Sequence, residues 1–298
     1  MKDVIIGLGE ILWDIFPDGK KLGGAPANFA YHMSRFGFDS RVVSAVGKDP
    51  LGDEILANLG NKRLGYHLAR VPYPTGTVFA KVDEKGVPAY EITRETAWDY
   101  IPFTQDLEET AKKVRAVSFG SLAQRGTVSR RTIESFLDAV PSGPGRYKIF
   151  DINLRQDFYG KEVIENSLKR CDVLKINDEE LDIVSRLFDL PLKDEREKCR
   201  WLLDRYALEI LILTCGIRGS YVLTSREESF LETPVVKVAD TVGAGDSFTA
   251  AFCACLLNGH SVFYAHRLAV DVAAFVCTSY GAMPELPGEF LERAKSPV

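Results

Sequence analysis

The sequence predicts an α/β fold: a mainly parallel sheet with helices over both faces and one small all-β excursion beside it. Three observations predict it. Short apolar, β-rich runs alternate with stretches of helical periodicity, the pattern of parallel strands joined by crossover helices. One region, Gly76 to Ile92 (GTVFAKVDEKGVPAYEI), breaks that rhythm with period-two alternation on each side of DEKG, a hairpin signal. The chain then turns helical after residue 246 and stays so for most of its last third.

Taken in order, Asp3 to Leu12 reads as a strand and Ala27 to Phe36 as a helix. Ala30, Met33 and Phe36 share one face of that helix, and Gly37 ends it. Arg41 to Val46 is a second strand and Asp53 to Leu59 a short helix. Ala116 to Leu122, Lys148 to Leu154, Asp172 to Ile176 and Ile210 to Cys215 are β-rich runs. Helical stretches lie near 131–140, 161–170, 179–188 and 195–206. Val235 to Val238 reads as strand-like before a Gly-rich turn. In the helix Ser247 to Leu257, one face carries Phe248, Ala251, Phe252, Cys255 and Leu256. Val262 to Ser279 follows, rich in Ala, Val and Cys, and both helices read as broadly buried. The stretch 11–22, turn-rich around PDGKK, joins the hairpin region as a small β-flap or an ordinary surface hairpin.

Composition narrows the function classes. The 298 residues suit one large domain, or a domain with a small excursion, and 46% apolar content is ordinary for a sizeable core. Thirty-seven basic against 42 acidic residues leave a net charge of −5. Without a basic run, nucleic acid and anionic membrane are disfavoured as partners. The N-terminus lacks the basic flank and cleavage site of a signal peptide, and no uncharged run approaches a membrane span. Six cysteines with no CxxC pair read as buried free thiols of a cytoplasmic protein. The scattered histidines share no ligand spacing with them, which argues against zinc.

The chemistry concentrates in DTVGAGDSF, Asp240 to Phe248. A Gly-rich turn at a helix start presents backbone N–H groups of Gly243, Ala244 and Gly245 at the positive end of the helix dipole, an anion site. Asp246 is either an N-cap or something more. An acid beside an anion nest gains nothing for binding alone; it makes sense as a base that takes a proton from a nucleophile attacking a phosphate. No GxxxxGK(S/T) occurs, which excludes a P-loop. No GxGxxG follows the first strand, since GLGE at 7–10 is too short for a dinucleotide fingerprint. GGAPANFA, Gly23 to Ala30, places two glycines before a helix start at Pro26. Asn28 then falls in the first turn, with an amide that both donates and accepts. Asp14 can accept two polyol hydroxyls. DINLR (Asp151 to Arg155) and NDEE (Asn177 to Glu180) follow apolar strands, where open α/β sheets bind ligands. TCGIRGS, Thr214 to Ser220, is either a phosphate- or ribose-contacting turn or a hairpin.

In order and spacing these motifs resemble the ribokinase-like (PfkB) carbohydrate kinases over essentially the whole chain. GGAPANFA resembles the family's N-terminal signature, DTVGAGDSF its highly specific C-terminal one, NDEE its Asn-x-x-Glu element and TCGIRG its nucleotide-side turn. The resemblance implies a single ribokinase-like domain over 1–298, with a β-sheet lid from excursions at about 11–22 and 71–101. It implies an ATP-dependent phosphotransferase acting on a sugar hydroxymethyl group, with Asp246 as base and Gly243, Ala244 and Gly245 as anion hole. Asp14, Gly23, Gly24 and Asn28 would hold the sugar, joined by Arg94 and Arg155. Asn177, Thr214, Gly216, Gly219 and Gly245 would border ATP, with 276–281 near adenine. Glu180 would support Mg2+ indirectly, and Asp240 would serve a monovalent cation such as K+. Glu285 stands where some relatives carry a small hydroxyl residue, a departure at that cation site. GEILWD, FGSLA, DINLR and YEITRETAWDYI look most like fructokinases, which implies fructose as acceptor and fructose 6-phosphate as product. The 2-keto-3-deoxygluconate kinases share much of the pattern, and other sugar or nucleoside kinases stay open. So does a catalytically silent sugar and nucleotide sensor; an NAD-dependent oxidoreductase is disfavoured. A homodimer through the lid is the expected assembly.

Overall fold

The computed structural model describes residues 4–17, 19–82 and 88–295. The chain opens with β1 (Val4–Leu8), β2 (Leu12–Phe16) and β3 (Gly19–Gly23), then α1 (Ala25–Arg35), β4 (Asp39–Gly47), α2 (Pro50–Asn61) and β5 (Gly65–Val71). The hairpin β6 (Gly76–Val82) and β7 (Pro88–Ile92) follows; its DEKG turn, like Asp3 and Asp18, lies outside the described residues. A 3₁₀ turn (Ala97–Asp99) leads to α3 (Gln105–Ala111), β8 (Val114–Phe119), α4 (Thr127–Ala139), β9 (Tyr147–Asp151) and α5 (Lys161–Leu168). Then come β10 (Val173–Asn177), α6 (Asp178–Leu187), α7 (Glu195–Arg205), β11 (Ile210–Thr214), β12 (Ser220–Leu223) and β13 (Glu228–Leu231). The chain closes with α8 (Ala244–Leu257), α9 (Val262–Cys277) and α10 (Gly288–Arg293).

The main sheet runs β13-β12-β11-β10-β9-β8-β1-β4-β5. It is parallel from β5 to β11, and β12 and β13 add an antiparallel edge. Both faces are buried because alternate residues of each strand meet different cores. Leu211 and Leu213 point into the core shared with Phe136, Leu181 and Leu202. Ile210 and Ile212 point into the opposite core with Phe29, Phe252 and Leu268. A second sheet, β3-β2-β6-β7, stands apart, with β2 and β6 parallel at its centre.

Two expected strands differ. Asp3 to Leu12 is not continuous: β1 stops at Leu8, and β2 resumes in the second sheet. Gly9 makes the break with φ +148°, where a side chain would also press within 2.9 Å of the Pro26 ring at the start of α1. Apolar content carried the reading across a glycine that changes sheets. Val235 to Val238 forms no strand. Pro234 offers no N–H, and Val235 and Val238 are exposed rather than packed in a ladder. The runs ending at Leu122 and Leu154 also stop early, at Phe119 and Asp151, where loops leave the carboxyl edge of the sheet.

Candidate active site

At that carboxyl edge, under the second sheet, lies a polar cavity of about 530 Å3. The link between β1 and β2 contributes Glu10, β2 Asp14, α1 Asn28, the loop after β9 Arg155, and α8 Asp246. A second, mainly apolar cavity of about 630 Å3 runs past the segment 233–238 to Val270, Ala273, Ala274 and Cys277 of α9. Asn177, Thr214, Thr241 and Gly245 line both. The two cavities therefore meet at the first turn of α8.

That turn is built around Gly243, the N-cap, held at φ +80° with no side-chain cap. A Cβ there would lie 2.6 Å from Ala282 Cα, so only glycine fits. The Ala244 N–H turns back to Thr241 O at 3.3 Å. Asp246 is the third helical residue and not the N-cap, which removes the simple capping alternative. Its Oδ2 accepts from Asn28 Nδ2 at 2.7 Å, and Asn28 Oδ1 is buried with no partner. Burial, then the Asp151 charge, pushes Asp246 up to about 6 against the Asn28 hydrogen bond and the Lys175 and Arg155 cations. Burial likewise raises Asp14 to about 6 and Glu10 to about 7.

Beneath the turn, Lys175 Nζ donates to Asp151 Oδ1 and Oδ2 at 2.9 and 2.8 Å, and Thr249 Oγ1 donates to the same carboxylate at 3.3 Å. Lys175 Nζ sits 3.1 Å from where a Cβ on Gly245 would stand, so that glycine lets the ammonium approach the helix N-terminus. Burial would lower Lys175, but Asp151 and Glu180 hold it above its usual range. Asn177 caps α6: its side chain accepts from the Glu180 N–H at 2.8 Å, and Glu180 Oε2 accepts from the Asn177 N–H at 2.9 Å. Glu180 Oε1 takes the Leu154 N–H at 2.9 Å, tying the loop after β9 to this cap.

Of the residues singled out in the sequence, Asp14, Gly24, Asn28, Arg155, Asn177, Glu180, Gly243, Gly245 and Asp246 line the polar cavity. Gly23 backs the Asp14 carboxylate too closely for any side chain. Asn177, Thr214, Gly216, Gly219 and Ala244 line the apolar one, and TCGIRGS is a hairpin with a 3₁₀ turn at its tip. Arg94 lines neither: it pairs with Asp157 at 3.2 Å and stacks over Phe158, outside both cavities. Val276 is buried in the core, and α9 lines the apolar cavity with Val270, Ala273, Ala274 and Cys277, of which Cys277 falls within 276–281. Asp240 is held by the Val242 and Gly281 N–H groups at 3.1 Å each and by Lys21 at 3.5 Å. Burial would raise it, but those donors keep it below its usual range. Sequence reading missed Glu10 and Lys175. The signal for Lys175 was a lone cation inside the apolar strand VLKIN.

A helix N-terminus joining a polar and an apolar cavity, with a buried carboxylate on the polar side, suits phosphoryl transfer. Comparison with known proteins agrees: residues 18–288 match the pfkB family carbohydrate kinase. A Klebsiella pneumoniae fructokinase is similar at 30% identity over 94% of this chain and 95% of its own. An ATP-dependent 6-phosphofructokinase of Thermoanaerobacterium thermosaccharolyticum is 28% identical over 90% of this chain and 82% of its own. In fold, the chain superposes on a Xylella fastidiosa fructokinase crystallised with ATP, with a TM-score of 0.86 at 20% identity, covering 98% of each. The chain belongs to the pfkB family of carbohydrate kinases and is an α/β phosphotransferase of sugar hydroxyls.

Proposed function

We propose that the protein transfers the γ-phosphoryl group of ATP to a primary hydroxyl of a neutral sugar, with D-fructose giving fructose 6-phosphate. The meeting of the two cavities at the α8 N-terminus beside Asp246 carries this reading. ATP lies in the apolar cavity along 233–238 and α9, and the sugar in the polar one. Asp246, oriented by Asn28, accepts the hydroxyl proton as the oxygen attacks. The N–H groups of Gly243 and Gly245, with the Lys175 ammonium below, stabilise the negative charge spreading over the transferred group. Asp14, Gly23, Gly24, Asn28 and Arg155 hold the sugar. The second sheet acts as a lid that excludes water as a competing acceptor.

The polar cavity carries Glu10, Asp14, Asp151, Glu180 and Asp246 against Arg155 and Lys175. That balance favours a neutral ketose over an acidic sugar such as 2-keto-3-deoxygluconate. Among the described residues no cluster of three or more acidic, His or Cys side chains could hold a metal ion by itself. That suits Mg2+ carried on the nucleotide phosphates, with Glu180 reached through water. When bound, it would neutralise phosphate charge. Asp240 already holds Lys21, so a K+ site there would have to displace an ammonium. Among the described residues no helix is long and apolar enough to cross a membrane. The six free cysteines support a cytoplasmic protein.

The test is ADP release with Mg-ATP and a panel of sugars, with and without K+. Fructose should give the highest kcat/KM. Asp246→Asn should lower kcat by roughly 10²–10⁴-fold while fructose still binds. Near-normal turnover in that variant would refute the base assignment, and binding of both ligands by wild type without turnover would favour a sensor.

A further inference from the structure

A third cavity, about 870 Å3, shares no lining residue with the other two. It opens between the 3₁₀ turn 97–99 and the starts of α4 and α5. Arg125 lines it, with only 8% of its side chain exposed. Nε and Nη2 bind Asp99 at 2.8 and 2.9 Å, and Nη2 also donates to Thr93 O at 2.6 Å. The guanidinium carbon stands 3.8 Å from the Trp98 ring centroid and 4.5 Å from that of Phe158. Nη1 is buried and has no partner. A guanidinium does not shed its charge, and a buried charged donor left unmade is costly, so this nitrogen asks for an acceptor.

Two helix starts converge on the same space. α4 begins at Gly126 and α5 at Gly160; neither has a side-chain cap, and both N-cap residues line the cavity. Their first-turn N–H groups and dipoles favour an anion. The acids nearby are largely engaged: Asp99 by Arg125, Asp157 by Arg94 at 3.2 Å. Glu95, Glu162, Arg130 and Lys161 also line the cavity; Arg130 Nε donates to Gln124 O at 2.8 Å and Lys161 reaches Asp189 at 3.7 Å. Tyr159, and the face of Tyr100 turned away from Tyr73, add ring surface, on which a sugar can lie.

We propose that this cavity is a second ligand site, which binds the phosphoryl group of a small phosphorylated sugar or free phosphate on Arg125 Nη1 and the α4 and α5 N-termini. It is tied to the sugar cavity by two short links. Ile92 and Arg155 line the sugar cavity, Arg94 and Asp157 line this one two residues later, and Arg125 grips Thr93 between. An occupant here therefore alters the KM for sugar. That readout rests on the sugar kinase reading; binding itself does not.

Calorimetry of the sugar- and nucleotide-free protein with inorganic phosphate, and separately with fructose 6-phosphate, tests it. Gly160→Asp is the informative variant: φ is −162°, open to any residue, and a Cβ there meets nothing within 4 Å. Its carboxylate would cap α5 and occupy the anion position. Wild type should bind one or both ligands, the tighter one identifying the source. Gly160→Asp, and Arg125→Lys as a second variant, should weaken binding by about tenfold or more. Gly160→Asp should keep the wild-type circular dichroism spectrum and melting temperature or raise the latter slightly, which shows it folded. No binding by wild type at millimolar phosphate or fructose 6-phosphate overturns the proposal. So does binding untouched by Gly160→Asp, which would locate the ligand in the active site. ATP-dependent turnover of fructose 6-phosphate, lost in Gly160→Asp, overturns it as well, because the cavity would then be the far end of the acceptor site.

Discussion

As the proposed base, Asp246 faces two demands that pull against each other. A base must be ionised at working pH, yet a carboxylate far below the hydroxyl's acidity is a poor proton acceptor. Burial and Asp151 push it up to about 6, and the Asn28 hydrogen bond with the Lys175 and Arg155 cations keeps it from rising further. The rate should follow that ionisation. Acid protonates the base, so kcat/KM should be flat well above about 6 and fall below it, approaching about tenfold per pH unit at the acid end, measured as ADP release in buffers of constant ionic strength. A profile flat down to pH 4.5 would contradict the assignment. Asp246 was legible in the sequence because a short motif holds its acid and its nest together. Glu10 and Lys175 were not: each becomes an active-site neighbour only when distant segments meet, and residue spacing carries no such information.

At the scale of elements, the start of α8 carries the most constraint. Gly243 must sit at φ +80° and make room for Ala282. Gly243→Ala should cost roughly 1–3 kcal/mol in urea denaturation. It should also lower kcat by about tenfold or more, because the first-turn N–H groups shift from their positions. A stable variant with full activity would show that the turn tolerates another shape. Sequence periodicity found most of the helices, since 3.6-residue patterns persist over many turns. It failed at Val235 to Val238, where a β-like composition lines a cavity instead of a sheet. It also ran β1 through Gly9, because alternation does not register which sheet a strand joins.

For the molecule as a whole, alternation of strands and helices foretold the parallel sheet, and the broken rhythm near Gly76 foretold the separate one. Nothing local foretold the third cavity, which three separate loops enclose. The second sheet leaves β3 and β7 as open edges. We expect a second copy of the chain to cover them, so sedimentation should give a dimer at micromolar concentration. A monomer at all concentrations would rule this out. The wall shared by the two principal cavities has a thermodynamic corollary. Asn177, Thr214, Thr241 and Gly245 cannot answer one occupant without presenting an altered surface to the other. Whatever factor fructose applies to the dissociation constant of ATP, ATP must apply to that of fructose. In Asp246→Asn, whose turnover should be slow enough, the two factors can be titrated separately. We expect each to differ from unity, and factors of one would mean that the shared wall transmits nothing.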